Sequence, residues 1–188
     1  AVGLEQKKVN WVLDADIRSF FDTLDHGWLV KFMEHRIADR RMLRHLNKWL
    51  KAGVREAGRH EEQEEGTPQG GVISPLLANV YLHYVLDLWS DQWRRRQASG
   101  EMIIVRYADD FVILCQSPEQ AQRALKAVQE WTAQAGLILH PDKTRIVDAT
   151  ERGGFDFLGY HFERGYRWPR KKSEQKLKDT IRAKTKRT

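Results

Sequence analysis

Only one cysteine, Cys115, occurs among the 188 residues. A lone cysteine rules out an internal disulfide and any cysteine-based zinc finger, and it agrees with a reducing cytosol. No apolar run approaches the roughly 20 residues that a membrane-spanning helix needs, and the start shows no secretory leader. Internal repeats are absent as well. These absences set the expectation of a soluble, cytoplasmic chain without a membrane partner. What remains is a 41% hydrophobic sequence with seven tryptophans, long enough for one well-packed domain with a core rich in large rings. The net charge of +6 is unevenly spread. From Arg164 to Thr188 there are eleven Lys or Arg and two Asp or Glu, a balance of +9, so the rest of the chain carries −3. A basic terminus of that kind draws phosphate backbones by releasing counterions; the plain alternative is a solvated helical end.

The most informative stretch is Tyr107-Ala108-Asp109-Asp110, between the apolar runs Met102–Val105 and Phe111–Cys115. Both runs read as β-strands, which puts the paired acids at a hairpin tip. Two-residue hairpin turns favour Asn-Gly or Asp-Gly because the central residues need positive φ. Ala108-Asp109 is poor turn chemistry inside well-patterned strands, as expected of a functional site under local constraint. Adjacent carboxylates repel unless a cation neutralises them, and a hard divalent metal suits that task. A solvated acidic turn is the structural alternative.

A second acidic strand precedes it. Trp11, Leu13, Ala15 and Ile17 share one face by alternation, and Val12, Asp14 and Asp16 share the other. Same-face neighbours on a strand stand roughly 6.5–7 Å apart, so Asp14 and Asp16 are not assumed to serve one ion. Asp16, nearer the strand end, is the metal candidate; Asp14 is read as structural, either solvated or a partner for Arg18. If this strand and the hairpin share a sheet, Asp16, Asp109 and Asp110 converge on a patch able to hold two Mg2+ ions. Such a pair activates an attacking oxygen and stabilises the leaving oxygen in phosphoryl displacement.

Four blocks, in order, complete a pattern that resembles the palm of reverse transcriptases, and among these the group II intron (maturase-type) family. They are Asp16-Ile17-Arg18-Ser19-Phe20-Phe21-Asp22 with His26 following; Gly66-Thr67-Pro68-Gln69-Gly70-Gly71 through Ser74-Pro75 to Asn79; Arg106-Tyr107-Ala108-Asp109-Asp110; and Gly136-Leu137 through His140-Pro141-Asp142-Lys143 to Phe157-Leu158-Gly159-Tyr160. The resemblance implies that Asp16 and Asp109 are the principal metal ligands, with Asp110 assisting. It also implies that Ile17, Phe21, Gln69 and Gly70 line the nucleotide pocket. Phe21 would lie under the sugar, where its bulk excludes a 2′-hydroxyl. Lys143 would shield or protonate the pyrophosphate, and Phe157, Leu158, Gly159 and Tyr160 would grip the primer. Each has an ordinary structural alternative: a core aromatic for Phe21, a loop before a helix for Gln69, a solvated lysine for Lys143, a strand and bend for Phe157–Tyr160. Asn79 is either a brace for the site or a satisfied buried amide.

The implied activity is RNA-directed DNA polymerase, with RNA template, DNA primer, dNTPs and intron RNA as partners. Alternatives are an RNA-holding palm acting in splicing, or a retron, CRISPR-associated or diversity-generating lineage. A nucleotide cyclase would want Gly-Gly before its acids, which Tyr107-Ala108 does not supply. The family's fingers and most of its thumb are missing from the sequence, so the chain alone is expected to be weakly active or inactive.

The predicted order is strand 10–17, helices near 27–36, 39–52 and 75–98, and hairpin strands 102–107 and 110–115. A helix follows at 118–135, capped by Ser117 with Gln120 and stopped by Gly136. Strands near 137–139, 144–148, 155–160 and 162–168 and a basic helix from about 173 complete it. Ser74 is read as the cap of the long helix with Pro75 in its first turn, and 53–65 as a strongly charged stretch whose end, Glu61–Glu65, forms a mobile hairpin or loop. The fold class is α+β, a polymerase palm-like split βαβ: a ferredoxin-like antiparallel sheet with helices on one face. Residues 1–168 would form the palm and 169–188 the basic start of a thumb.

Overall fold

A computed structural model describes residues 9–51, 54–56, 59–61, 66, 72–97 and 100–186. Its elements begin with β1 (Trp11–Asp16), α1 (Phe20–Thr23), α2 (His26–Glu34), α3 (Arg40–Lys51), β2 (Val54–Glu56), β3 (Arg59–Glu61) and α4 (Ser74–Leu82). A π-helical turn (His83–Asp87) leads into α5 (Leu88–Gln97), followed by β4 (Met102–Tyr107), β5 (Asp110–Cys115), α6 (Pro118–Gln134) and β6 (Arg145–Asp148). The chain continues through β7 (Phe155–Phe157), β8 (Tyr160–Glu163), β9 (Tyr166–Pro169) and α7 (Lys171–Thr185).

The central sheet has the order β4-β5-β1-β6 and is antiparallel throughout. From β1 the chain crosses the helical layer to the far edge at β4, returns as β5 beside β1, and crosses again through α6 to β6. This is the split βαβ arrangement expected from the alternating strands.

Strand alternation decides what each face does. Leu13, Ala15, Phe111, Ile113 and Cys115 point into the main core with Leu29, Leu77, Tyr81, Leu82, Ala124 and Val128 from the helices. Val12, Val112 and Leu114 point the other way and meet Phe155, with Phe162 packed alongside. That second face is not bare, as a plain helices-on-one-side sheet would leave it. The three-stranded sheet β7-β8-β9 covers its apolar base. The carboxylate end of β1 shares this face beyond the apolar contacts.

Local chemistry explains both ends of α6. The Ser117 side chain accepts a bond from the Gln120 backbone N–H at 3.2 Å, while Gln120 Oε1 reaches past Ser117 to the Gln116 N–H at 2.8 Å. Gly136 stops α6 with a φ of 73°, which glycine adopts without a Cβ penalty.

Four expectations need correction. The long helix begins at Ser74, with Ile73 at the cap position and no side-chain cap bond, so Ser74 lies inside the helix and Pro75 in its first turn. It is not continuous either, because the π turn interrupts it. The region read as strands 155–160 and 162–168 is three short strands, with tight turns at Leu158-Gly159 and Arg164-Gly165 where all four residues have positive φ. Among 137–139, only Leu139 bridges, to Ile17. Within the charged stretch 53–65, β2 and β3 pair antiparallel, strands that the sequence did not mark; the expected hairpin or loop at Glu61–Glu65 lies, from residue 62 on, outside the described residues.

Candidate active site

The register of β1 on β5 sets Asp16 directly opposite Asp110. Directly opposed residues on adjacent strands have Cβ atoms about 4.5–5.5 Å apart, so these two carboxylates share one side of the sheet at its end. Asp109 is the second residue of the adjoining turn, which Tyr107 and Asp110 close as a pair. Ala108, the first turn residue, has a φ of 53°, a left-handed conformation that an L-residue adopts at a cost of about 1–2 kcal/mol. The poor turn chemistry of the sequence therefore corresponds to backbone strain beside the acids.

Electrostatics at this edge are those of crowded negative charge. Asp110 has its carboxyl pushed above the ordinary range, first by partial burial at the sheet end and then by the charges of Asp109 and Asp16. Lys143 and Arg170 pull it back down. Lys143 Nζ lies 2.5 Å from Asp16 Oδ2, a contact that raises the lysine's own pKa. The lysine loop is placed by a short pairing beyond β1. The Arg18 N–H donates to Ile138 O and the His140 N–H to Asp16 O, both at 2.8 Å, and the Lys143 and Thr144 N–H groups then turn back onto His140 O.

Asp14 takes the structural role, but its partner is Arg145 on β6, at 3.4 Å, and not Arg18. Register explains the switch, because Arg145 stands directly opposite Asp14. The Asp14 carboxyl is raised, burial outweighing the arginine.

Ile17 is 2% exposed and its side chain belongs to the core, leaving only its backbone for a nucleotide. Phe21 lies against Phe20 with ring centroids 5.5 Å apart and packs at the margin of the core, only partly covered. Phe20 is the fully buried ring of the two. Gln69 and Gly70 lie outside the described residues, but Gly66 just before them is fixed. Its N–H donates to Leu24 O at 2.7 Å, and its carbonyl lies 2.5 Å from Nε2 of buried His26. A Cβ on Gly66 would stand 2.7 Å from Phe21 O and 2.8 Å from Asp22 O. Glycine here lets the second block meet the backbone of the first.

Phe157 ends β7, Leu158 and Gly159 form the turn at φ 49° and 82°, and Tyr160 opens β8. Leu158 and Tyr160 are about half exposed. Gly159 O accepts from the Arg170 N–H and from Ser173 Oγ, both at 3.0 Å, which ties this turn to the start of α7.

Three residues close to the site carried no individual role in the sequence. Arg170 was one of many basic tail residues, yet its charge acts on Asp110. Arg106 donates from Nη1 to Ala108 O at 2.8 Å and to Asn79 Oδ1 at 2.9 Å. It also holds both oxygens of Asp87 at 2.6 Å. Asn79 is thus satisfied, but exposed and not buried. No periodicity signal marks Asp87, the last residue of the π turn.

Among the described residues no three His, Cys, Asp or Glu side chains are gathered as a ready-made metal site. The donor chemistry nonetheless fits a hard divalent ion: carboxylate oxygens only, with burial first and then repulsion from Asp109 and Asp16 lifting Asp110, a repulsion that such a cation relieves.

The family model described as "Reverse transcriptase (RNA-dependent DNA polymerase)" matches residues 2–162. Protein YkfC of Escherichia coli K12 is 33% identical over 181 residues, covering 82% of this chain and 47% of its own length. The group II intron-encoded protein LtrA of Lactococcus lactis is 44% identical over 73 residues, covering 39% of this chain and 12% of LtrA. The chain thus spans about half or less of these relatives. Apo telomerase from Candida tropicalis shares the fold, with a TM-score of 0.67 over 85% of this chain and 35% of that one, at 12% identity. A match over most of the length, joined to Asp110 set directly opposite Asp16 on the adjoining strand with Asp109 beside it in the turn, means that the chain belongs to the reverse transcriptase family.

Proposed function

We propose that the chain is the catalytic palm of a group II intron-type reverse transcriptase, adding dNTPs to a DNA primer along an RNA template. The observation that carries this reading is the register that faces Asp16 with Asp110 beside the Asp109 turn. Asp16 and Asp109, assisted by Asp110, would hold two Mg2+ ions, which supply activation of the primer hydroxyl and stabilisation of the leaving pyrophosphate. Phe21 bounds the sugar pocket, and Gln69, Gly70 and the Ile17 backbone line it. Lys143 stays protonated through neutral pH, since its pKa is raised. It is therefore a cation that can leave Asp16 for a phosphate and donate its proton there. The Phe157–Tyr160 turn holds the primer. Residues 1–168 form the palm and 169–188 open the thumb. With no helix among the described residues long and apolar enough to cross a membrane, and with a buried free thiol at Cys115, the cytoplasm is the compartment that suits this chemistry.

A second reading, a palm that holds intron RNA for splicing without synthesis, is favoured by the basic helix α7, none of whose residues is buried. One variant separates the two. Primer extension on an RNA template with Mg2+ and dNTPs is measured for this chain, and for the open reading frame that contains it, with Asp109 intact and as Asp109→Ala. The polymerase reading expects synthesis to fall at least a thousandfold in the variant while RNA affinity stays within twofold, a loss on the scale of about 4 kcal/mol of transition-state stabilisation. Extension that is undiminished in the variant, or missing throughout, overturns it.

A further inference from the structure

We propose that Asp87 is a positioning residue which, through Arg106, holds the strained Ala108-Asp109 turn in the conformation that presents the metal-binding carboxylates. The inference rests on the polymerase reading for what the carboxylates bind, but not for the clamp itself.

Arg106 sits on the helix-facing side of β4, one residue before the pair that closes the turn. Its side chain is 13% exposed, and it commits its N–H donors to three partners. Nε and Nη2 take the two oxygens of Asp87, and Nη1 takes Asn79 Oδ1 and Ala108 O. The rigid planar fork of a guanidinium means that fixing two of its edges fixes the third. With Asp87 and Asn79 anchored on the long helix, the remaining N–H is aimed at the carbonyl of the one non-glycine residue in the turn held at positive φ.

The helix is built for this task. Asn79 and Asp87 are eight residues apart, and in a regular α-helix that separation leaves them about 80° out of line. A π turn absorbs one extra residue, bringing them to within about 20°. The only π segment among the described residues, His83–Asp87, lies between them and ends on Asp87. The unusual helix, the bidentate ion pair and the strained alanine are three departures from regular structure. One clamp running from the helical layer to the acidic turn accounts for all of them.

The test uses this chain with Mn2+ as the probe, read by electron paramagnetic resonance, and with hydrogen exchange of the backbone amides of residues 107–110. Asp87→Asn keeps the size of the side chain and removes its charge; it is expected to weaken Mn2+ binding at least fivefold and to speed exchange in the turn at least tenfold. Asn79→Ala is expected to do the same to a lesser degree, and it serves if Asp87→Asn does not fold. Asp91→Asn removes a helix carboxylate that pairs with Arg94 and Arg95 and should change neither readout. Glycine adopts positive φ freely, so the loss caused by Asp87→Asn should shrink to within twofold in an Ala108→Gly background. The clamp is overturned if turn exchange is unchanged in Asp87→Asn, or if the loss is equally large with glycine at position 108. If the parent chain shows no Mn2+ binding that Asp109→Ala abolishes, the metal reading fails, and hydrogen exchange alone decides the clamp.

Discussion

At the scale of single residues, Asp110 is where sequence chemistry and fold are in conflict. Its carboxyl is raised by partial burial and by Asp109 and Asp16, so the folded chain binds its proton more tightly than the unfolded chain does. The folded state then holds more protons between the two pKa values, and stability falls as pH rises through that window. At neutral pH the ionised Asp110 destabilises the fold. Asp110→Asn should therefore stabilise the fold at pH 7 by less than about 1 kcal/mol after solvent screening, and so raise its melting temperature. The gain should vanish near pH 3, where the aspartic acid is already protonated. Thermal melts of both proteins across pH 3–8 measure this, and a variant less stable at pH 7 would show that Asp110 is stabilised by partners and not strained by them. Asp16 and Asp109 could be read as candidates from the sequence because acidic residues interrupt apolar strands. Arg145 as partner of Asp14 could not, since only strand register decides which cation faces it.

At the scale of elements, strands with clean alternation and a helix with a Ser cap and a Gly stop were legible from their own residues. β4 and β5 run over the residues expected, 102–107 and 110–115, and α6 ends one residue early. The π turn was not legible, because one extra residue leaves the apolar pattern of a buried helix almost unchanged. The β7-β8 turn was hidden for a related reason: leucine rarely takes positive φ, so the chain reads as one strand through Leu158. It adopts that conformation with its side chain 49% exposed, so local packing does not offset the strain. Leu158→Gly removes a left-handed penalty of about 1–2 kcal/mol against an unfolded-state entropy cost of about 0.5–1 kcal/mol. The variant should melt slightly higher and bind a primer–template duplex more weakly, as measured by calorimetry and fluorescence anisotropy. A lower melting temperature with unchanged duplex affinity would make the leucine an ordinary packing residue.

At the scale of the whole molecule, the positive charge is segregated. α7 contributes no buried residue, and the Ser173 hydroxyl anchors its first turn to Gly159. Deleting residues 174–188 removes six basic and two acidic residues while leaving that anchor. The fold should keep its melting temperature. The slope of log affinity for single-stranded RNA against log salt should become shallower by about 1.5, at roughly 0.7 for each phosphate that the tail no longer neutralises. A slope that does not change would assign the tail to something other than nucleic acid.

The sequence by itself determined most of the element order and the antiparallel α+β class and marked the acidic residues as candidates, because alternation, capping and turn chemistry are short-range properties of neighbouring side chains. Tertiary structure alone decided that Asp16 faces Asp110, that Lys143 reaches Asp16, and that Arg106 bridges a helix to the acidic turn. Apart from the bond of Arg106 to Ala108, two residues on, those contacts join residues distant in the chain, and their meeting depends on strand register and on one extra residue in a helix. Both are settled by packing the two faces of the sheet at once.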